Sequence, residues 1–480
     1  MSDRIRLLLG DRPVEISGID PTTTVLDWLR GPCGRTGTKE GCAEGDCGAC
    51  TVVLAEPDGS GGLAYRSVNS CIQFVGTLDG VQLLTVEDLA KDGTPHPVQR
   101  AMVAAHASQC GFCTPGFVMT LYHLYRTYDG PLPPPRETLD RALGGNLCRC
   151  TGYRPILEAA ERMFDGRTAG EDVTATVAAL EGLARDKGLA YEDRFFAPRT
   201  LAELAGVLKV HPGARILSGG TDLGLEVTKA HRTLDRVVYL GRVAELRTVA
   251  KTQTHLELGA AVTWSEAADP LVAIWPALDE LFARFAGPPV RNAGTVGGNI
   301  ANASPIGDSP PVFVALDADV ELAGPAGMRR LKLADFFLDY RKTALAPGEV
   351  VARVRIPLPA PGLKLAAYKV SKRLDDDISA VCGVFALALD GGRIADARIA
   401  FGGMAAIPKR AASCEAALVG KDWTLATAQA AAAALASDFA PIGDMRASAA
   451  YRAKVAANLL VRFWHESTGS GIATRAVSYG

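Results

Sequence analysis

The stretch CAEGDCGAC, residues 42–50, places three cysteines at the spacing C-x4-C-x2-C. Cys71 follows after twenty intervening residues, which completes the cysteine spacing of plant-type [2Fe–2S] ferredoxins. Six glycines lie between residues 31 and 50, and glycine lets backbone amides approach cluster sulfurs with no Cβ atom in the way. The stretch therefore predicts a small β-rich domain folded around a two-iron cluster.

A second set of four cysteines follows, with Cys110 and Cys113 in CGFC and Cys148 and Cys150 in NLCRC. Together the two quartets use eight of the eleven cysteines. A structural zinc site is the alternative for each quartet, and it is stronger for the second one because C-x2-C pairs also bind zinc. Two clusters in one chain predict a path for single electrons. The other cysteines are interpreted as a spare thiol and two core residues: Cys33, Cys382 and Cys414.

Composition predicts several domains and excludes some partners. The chain has 480 residues, of which 48% are hydrophobic and 22% charged, and its net charge is −2. This near-neutral balance gives no reason to expect nucleic acid, and the apolar run at the N-terminus is too short for a membrane span. Cysteines clustered at ligand spacings fit a reducing cytoplasm. We therefore expect a cytoplasmic protein with three or four domains.

Hydrophobic periodicity places elements along the chain. Alternating residues on both sides of Gly10-Asp11 predict a hairpin, and Thr24 is expected to cap a short helix. Pro115 in a predicted helix puts Cys113 just ahead of a helix N-terminus, which favours thiolate over thiol. The predicted helices span residues 98–107, 117–128, 137–143, 155–164, 424–436 and 447–465, and the predicted C-terminal strands span 364–370, 381–389 and 393–401.

Two glycine turns lie in the mixed α/β region that follows the second cysteine quartet. They are SGGTDLG at residues 218–224 and GTVGGN at 294–299. Neither is a G-x-G-x-x-G fingerprint opening a βαβ unit, so a Rossmann fold is not expected. Backbone N–H groups exposed by glycine, with hydroxyls nearby, are nevertheless suited to a pyrophosphate.

The order of these motifs, continued by TVGGNIANASPIGDSPP at 295–311, resembles the iron–sulfur and flavin portion of the xanthine dehydrogenase and molybdenum hydroxylase family. The resemblance covers nearly the whole chain and is greatest to the small subunit of the bacterial two-subunit type. It implies a multidomain α+β fold. Its expected parts are a β-grasp [2Fe–2S] ferredoxin domain (1–85), a four-helix-bundle [2Fe–2S] domain (86–165), a linker (166–190), an α/β FAD-binding domain of vanillyl-alcohol-oxidase (PCMH) type (191–360) and a C-terminal α/β domain of CO dehydrogenase flavoprotein type (361–480).

The resemblance also implies site residues. Phe285 would lie against the adenine of FAD, Asp308 and Lys369 would make polar contacts, and the loop Ser371–Ile378 would lie near the flavin ring. No catalytic residue is expected in this chain. The implied FAD contacts are Ile216, Leu217, Ser218, Gly219, Gly220, Thr221, Asp222, Leu223, Phe285, Thr295, Val296, Gly297, Gly298, Asn299, Asp308, Val351 and Lys369, and the implied iron ligands are Cys42, Cys47, Cys50, Cys71, Cys110, Cys113, Cys148 and Cys150.

By this resemblance the chain is expected to pass electrons from a molybdenum cofactor on a large partner subunit through two [2Fe–2S] clusters to FAD and then NAD+. The reaction would be the oxidation of hypoxanthine and xanthine to urate, in an α2β2 heterotetramer. Two alternatives stay open at this point. One is the equivalent subunit of another molybdenum hydroxylase, acting on an aldehyde or an N-heterocycle; carbon monoxide is disfavoured, because carbon monoxide enzymes usually carry the iron–sulfur and flavin parts on separate chains. The other is a stand-alone flavin and iron–sulfur reductase that takes electrons from NADH.

Overall fold

The structure is a computed structural model that describes residues 4–167 and 172–474. It divides into two compact units. Unit 1 comprises residues 1–244 and 286–294, and unit 2 comprises residues 245–285 and 295–480. Within the described ranges, no helix has both the length and the apolar character needed to cross a membrane.

The N-terminal part of unit 1 is a five-stranded mixed sheet with one helix against it, the expected β-grasp arrangement. The sheet order is β2-β1-β5-β3-β4, in which β1 pairs antiparallel with β2 and parallel with β5. The predicted hairpin at Gly10 and the helix capped by Thr24 are confirmed, and the Thr24 hydroxyl accepts from the Asp27 amide at 3.0 Å. The elements are β1 (Ile5–Leu9), β2 (Arg12–Ile16), α1 (Val25–Arg30), β3 (Thr51–Pro57), β4 (Leu63–Asn69) and β5 (Gln82–Leu84).

Four helices follow, as the sequence predicts. Their apolar faces form one core, to which Leu139 and Leu143, one turn apart on the third of these helices, contribute. Proline occupies the first turn of three of the helices, where a missing N–H costs no hydrogen bond. The helices are α2 (Pro97–Ala104), α3 (Thr114–Thr127), α4 (Arg136–Leu143) and α5 (Arg154–Arg162).

Unit 1 continues with a four-stranded sheet of order β6-β7-β9-β8. Side chains from this sheet, including Phe195, Leu217 and Tyr239, share one hydrophobic core with Phe74 of the ferredoxin domain. The elements are α6 (Thr174–Leu183), β6 (Leu189–Tyr191), β7 (Phe195–Ala197), α7 (Leu201–Val210), β8 (Arg215–Leu217), α8 (Leu223–Thr228), β9 (Val237–Tyr239) and, from the second segment of the unit, α11 (Pro288–Arg291).

The segment 166–190, which we expected to be a linker, therefore contains the helix α6. Val177 and Leu180 lie on one face of α6 and are buried. Just after α6, Arg185 forms an ion pair with Asp79 of the ferredoxin domain at 2.7 Å. Residues 168–171 of the same segment lie outside the described residues.

Unit 2 begins with an antiparallel sheet of order β10-β11-β16-β12-β13 and a separate two-stranded sheet, β14-β15. Helix α9 starts at a capping box, in which Thr263 and Glu266 bond reciprocally to each other's backbone amides. The elements are β10 (Val249–Lys251), β11 (His255–Gly259), α9 (Trp264–Ile274), α10 (Asp279–Ala283), α12 (Val296–Asn302), α13 (Ser309–Ala315), β12 (Asp319–Gly324), β13 (Gly327–Lys332), β14 (Phe337–Asp339), β15 (Lys342–Thr343) and β16 (Val350–Pro357).

The C-terminal part of unit 2 is an antiparallel sheet of order β17-β18-β19-β20 packed against three helices. The three predicted strands and both predicted helices are confirmed. Cys382 and Cys414 are buried, as the sequence predicts, and burial raises the pKa of the Cys414 thiol to about 12. The elements are β17 (Lys364–Val370), β18 (Val381–Asp390), β19 (Arg393–Gly402), β20 (Lys409–Arg410), α14 (Ala412–Leu418), α15 (Leu425–Asp438) and α16 (Ala449–Thr468).

Candidate functional site

The first cysteine quartet converges at one end of the ferredoxin domain. Hydrogen bonds from Cys47 and Cys71 hold the pKa of the Cys42 thiol far below its usual range, and donation by Cys71 to Cys42 and Cys50 raises the pKa of Cys71. Cys50 and Cys71 are buried, whereas Cys42 and Cys47 are half-buried. The four sulfurs are therefore near neighbours, although they come from the loop before β3 and from the turn after β4.

The backbone of this loop wraps around the sulfurs. The N–H groups of Glu44, Asp46 and Cys47 point at the Cys42 sulfur, at 3.5, 3.4 and 3.4 Å. A Cβ atom at Gly41 would lie 2.7 Å from the Cys47 sulfur, and Gly45 has a φ of +84°. Four converging thiols with amide donors aimed at sulfur are the protein side of an iron–sulfur site, so these residues fit a [2Fe–2S] cluster.

The four cysteines of the second quartet come together from two loops. Cys110 and Cys113 lie just before α3, and Cys148 and Cys150 lie between α4 and α5. Cys110 hydrogen-bonds with Cys150, and Cys113 with Cys148. Cys110 and Cys150 are exposed, in contrast to the ferredoxin quartet. The predicted position of Cys113 directly before a helix is confirmed, since it is the N-cap of α3. The expected preference for thiolate concerns the iron-bound sulfur and stays a prediction; in the thiol form, burial and then donation to Cys148 raise the pKa of Cys113 to about 12.

A backbone and a side-chain hydrogen bond join the two cysteine loops. The N–H of Leu147, the residue before Cys148, donates to the carbonyl oxygen of Cys47 at 3.0 Å. Buried Asn146 supports this contact, because its Nδ2 donates to the Gly48 carbonyl at 3.1 Å and its Oδ1 accepts from the Thr120 hydroxyl at 2.7 Å. Sequence reasoning missed the role of Asn146, although it stands inside the NLCRC motif.

The first glycine turn, Ile216–Leu223, belongs to unit 1. It connects β8 to α8, and Gly220 within it has a φ of +76°, which favours glycine. A Cβ atom at Gly219 would lie 2.0 Å from the Ala293 carbonyl oxygen, so glycine is required there for packing. Asp222 is exposed, and Ser218 and Thr221 are half-exposed. The turn thus presents backbone and small polar groups, the surface that a diphosphate needs.

The second glycine turn, residues 294–299, leads into α12 of unit 2. The Thr295 hydroxyl accepts from the Gly298 amide at 3.1 Å and caps the helix, which begins at Val296. A Cβ atom at Gly297 would lie 2.3 Å from the Cβ of Ala260. Asn299 accepts from the hydroxyl of Ser309 at 2.6 Å, which fixes its side chain beside the start of α13.

Asp308 and Lys369 contact each other inside unit 2. The Lys369 Nζ lies 2.6 Å from Asp308 Oδ2, and the two side chains are only 3% and 7% exposed. The Ser379 hydroxyl donates to the other carboxylate oxygen at 2.5 Å. Sequence reasoning proposed Asp308 and Lys369 as separate polar contacts and missed Ser379. The structure shows a buried ion pair whose charges compensate each other.

The remaining proposed FAD contacts are buried in unit 2. Phe285 packs against Trp264 with ring centroids 4.8 Å apart, and Val351 lies on β16. Arg284, which sequence reasoning missed, donates to the carbonyl of Leu374 at 2.9 Å and to the hydroxyl of Ser371 at 3.1 Å. The loop Ser371–Ile378 is therefore held to the segment that carries Phe285.

Four family models match the chain. They are the 2Fe-2S iron-sulfur cluster binding domain at residues 8–74, the [2Fe-2S] binding domain at 85–161, the FAD binding domain in molybdopterin dehydrogenase at 190–359 and the CO dehydrogenase flavoprotein C-terminal domain at 366–467. The chain therefore has two [2Fe–2S] domains and an FAD-binding domain. These matches favour iron–sulfur clusters over structural zinc, and the eight cysteine ligands stay a prediction. Across the described residues, no group of three or more His, Cys, Asp and Glu side chains has the arrangement for a single metal ion.

Two curated relatives illustrate the sequence similarity. The xanthine dehydrogenase of Emericella nidulans is 33% identical over 97% of this chain, and the xanthine dehydrogenase/oxidase of Gallus gallus is 31% identical over 88% of it. The chain spans 38% of the first relative's length and 37% of the second's.

Two solved structures show the same relationship. The chain is 30% identical, with a TM-score of 0.54, to a chain of carbon monoxide dehydrogenase from Hydrogenophaga pseudoflava, covering 56% of this chain and 94% of that one. It is 31% identical, with a TM-score of 0.53, to a chain of quinoline 2-oxidoreductase from Pseudomonas putida 86, covering 58% and 98%. With both cysteine quartets, the flavin-domain match and these relatives in agreement, the chain belongs to the molybdenum hydroxylase family as an iron–sulfur and FAD-binding member.

Proposed function

We propose that this chain is the electron-transfer subunit of a cytoplasmic xanthine dehydrogenase. It would take electrons from a molybdenum cofactor on a large partner subunit, in an α2β2 heterotetramer of the bacterial two-subunit type. It would deliver them to NAD+ through the two [2Fe–2S] clusters and FAD, as hypoxanthine and xanthine are oxidised to urate. The proposed iron ligands are the eight cysteines of the two quartets, and the proposed FAD contacts are the residues named from the resemblance.

The observation that carries the electron-transfer role is the backbone hydrogen bond between the two cysteine loops. The Leu147 amide and the Cys47 carbonyl lie 3.0 Å apart, and Leu147 is bonded covalently to Cys148. A ligand of one cluster is thus connected to a ligand of the other by one hydrogen bond and the peptide units beside it. Each quartet lies where its own domain meets the other [2Fe–2S] domain. A role limited to stabilising its own domain would not explain this position for either quartet.

Exposure supports a direction for the electrons. Cys110 and Cys150 of the second quartet are exposed, while Cys50 and Cys71 of the first are buried. An exposed site can receive electrons from a partner protein, and a buried one is protected from losing them to solvent. We therefore place the entrance at the helical domain and the onward transfer at the ferredoxin domain. When bound, the clusters carry single electrons and FAD converts two of them into a hydride.

The substrate is proposed from the relatives alone. The two curated relatives are named xanthine dehydrogenase and xanthine dehydrogenase/oxidase. A second candidate is favoured by the quinoline 2-oxidoreductase structure, of which 98% is covered at 31% identity. In that case the partner would act on another N-heterocycle, and this chain's own role would be unchanged.

The test is to purify the chain from its native source with whatever is bound to it. The expected result is a stoichiometric large subunit with molybdenum, and reduction of NAD+ when hypoxanthine or xanthine is added. Quinoline as the better substrate would favour the second candidate. An active chain without a partner, oxidising NADH, would overturn both and identify a stand-alone reductase. Oxygen in place of NAD+ would separate oxidase from dehydrogenase behaviour.

A further inference from the structure

Gln73 lies two residues after the iron ligand Cys71 and contacts the first glycine turn. We propose that Gln73 is a positioning residue for electron transfer, whose side-chain amide holds the turn Ile216–Leu223 against the segment Cys71–Gln73. This inference rests on the proposed function, because it takes the ferredoxin cluster and FAD to be bound at these two places. All of the residues concerned belong to unit 1.

The hydrogen bond is specific and shielded. Gln73 Nε2 donates to the carbonyl oxygen of Gly219 at 3.2 Å, and the Gln73 residue is only 8% exposed. The Gln73 backbone is fixed as well, because its carbonyl accepts from the amide of Val25 at 2.8 Å. A buried side-chain amide with an anchored backbone has little freedom to turn elsewhere, so the bond sets where the glycine turn lies.

The glycine turn and the start of α8 pass close to the backbone of the ferredoxin domain. A Cβ atom would lie 3.0 Å from the Ile72 carbonyl oxygen if placed on Gly220, and 2.8 Å if placed on Gly224. Glycine at both positions therefore lets the turn and the first residues of α8 rest on the peptide that follows Cys71.

Helix α8 is also attached to the other side of the cysteine loop. The hydroxyl of Thr228 donates to the Ala43 carbonyl at 2.8 Å, and Lys229 donates to the Cys42 carbonyl. Lys229 lies 3.6 Å from the carboxylate of Glu44 as well. The element that follows the glycine turn thus contacts the segments next to two cluster ligands, Cys42 and Cys71.

These contacts give the electron a short connected route. The route runs from Cys71 through the peptides of Ile72 and Gln73, along the Gln73 side chain, and across the hydrogen bond from Gln73 Nε2 to the Gly219 carbonyl. Each transfer oxidises the cluster by one electron and reduces the flavin by one. Loosening the turn is expected to weaken FAD binding and to slow this step, because both depend on where the turn lies.

The experiment compares Gln73→Leu with Gln82→Leu in the full chain. Gln82 is an equally buried glutamine of the same domain, 4% exposed, whose Nε2 donates to the Gly10 carbonyl at 3.0 Å, away from the glycine turn. Gln73→Leu is expected to raise the Kd for FAD about ten-fold, the effect of one buried hydrogen bond, and to slow flavin reduction by photoreduced clusters. The paramagnetic resonance signals of both clusters should be unchanged, and Gln82→Leu should match the unmodified chain.

A second pair of variants tests the close contact between Gly224 and the Ile72 carbonyl. Gly224→Ala places a methyl group against the Ile72 carbonyl, whereas Gly206→Ala, in α7, meets open space. Of these two variants, only Gly224→Ala should weaken FAD binding. If Gln73→Leu does not retain its clusters, the result for Gly224→Ala tests the inference in its place. The inference would be overturned if Gln73→Leu and Gly224→Ala had the same effects as their controls, Gln82→Leu and Gly206→Ala, or had no effect. The proposed function would stand in either case. An unmodified chain that binds no FAD would instead overturn the proposed function.

Discussion

The buried ion pair of Asp308 and Lys369 allows a prediction with a worked magnitude. The charged atoms lie 2.6 Å apart, and the side chains are 3% and 7% exposed. Replacing Lys369 by Met keeps a similar volume but leaves the carboxylate of Asp308 buried with, among the residues that the structure describes, only the Ser379 hydroxyl as its partner. Removing one member of a buried pair costs about 3–5 kcal/mol, so we expect Lys369→Met to lower the free energy of unfolding of unit 2 by that amount.

The double variant Lys369→Met with Asp308→Asn separates charge from packing. It removes the uncompensated charge, and we expect it to recover most of the stability, because replacing both members of a buried pair is often nearly neutral. A matched control is Lys342→Met, which breaks an exposed pair with Asp339 in the same unit and should cost less than about 1 kcal/mol.

The assay is urea unfolding followed by tryptophan fluorescence, after FAD has been removed so that its binding adds nothing to the stability. The signal reports mainly on unit 2, which contains four of the five tryptophans: Trp264, Trp275, Trp423 and Trp464. A cost of less than 1 kcal/mol for Lys369→Met, or a double variant no more stable than the single one, would refute the reasoning. In the protein with FAD, the same single variant is expected to lose flavin more readily.

Three further predictions concern unit 1. Asn146→Leu leaves the buried Thr120 hydroxyl without its acceptor, removes one of the donors to the Gly48 carbonyl, and is expected to cost about 1–3 kcal/mol, seen as earlier loss of iron–sulfur absorbance on heating, with Thr120→Val costing less. Burial lowers the pKa of His123, so the unfolded chain binds more protons than the folded one, and stability should fall as the pH drops below about 6.5. In His123→Gln, the urea midpoint should depend less on pH across that range. Arg185→Met, which breaks a largely buried pair with Asp79, should lower the thermal midpoint of unit 1, and an unchanged midpoint would contradict that role.

Local sequence patterns predict much of this fold. The cysteine spacings, the cap at Thr24 and the helices around Pro115 depend on residues close together in the chain, and the structure confirms these elements. Helix α6 was hidden by an Ala- and Gly-rich composition, although Val177 and Leu180 have helical spacing. Composition alone therefore misjudged a segment whose two buried residues, Val177 and Leu180, lie one turn apart.

The long-range contacts could not be predicted in the same way. Lys369 and Asp308 are 61 residues apart in sequence, and Gln73 and Gly219 are 146 apart. No periodicity links such positions, because their contact depends on how separate elements pack. The shared core of Phe74 and Leu217 is of the same kind, and it joins residues that domain boundaries drawn along the sequence would separate.

The proposed electron path requires above all that each of the two cysteine quartets holds a [2Fe–2S] cluster. Electron paramagnetic resonance of the dithionite-reduced protein, with iron and sulfide analysis, tests this directly. We predict two distinct signals, of which Cys47→Ser removes one and Cys113→Ser the other. A single signal in the unmodified protein, or zinc in place of iron with no signal at all, would contradict the account.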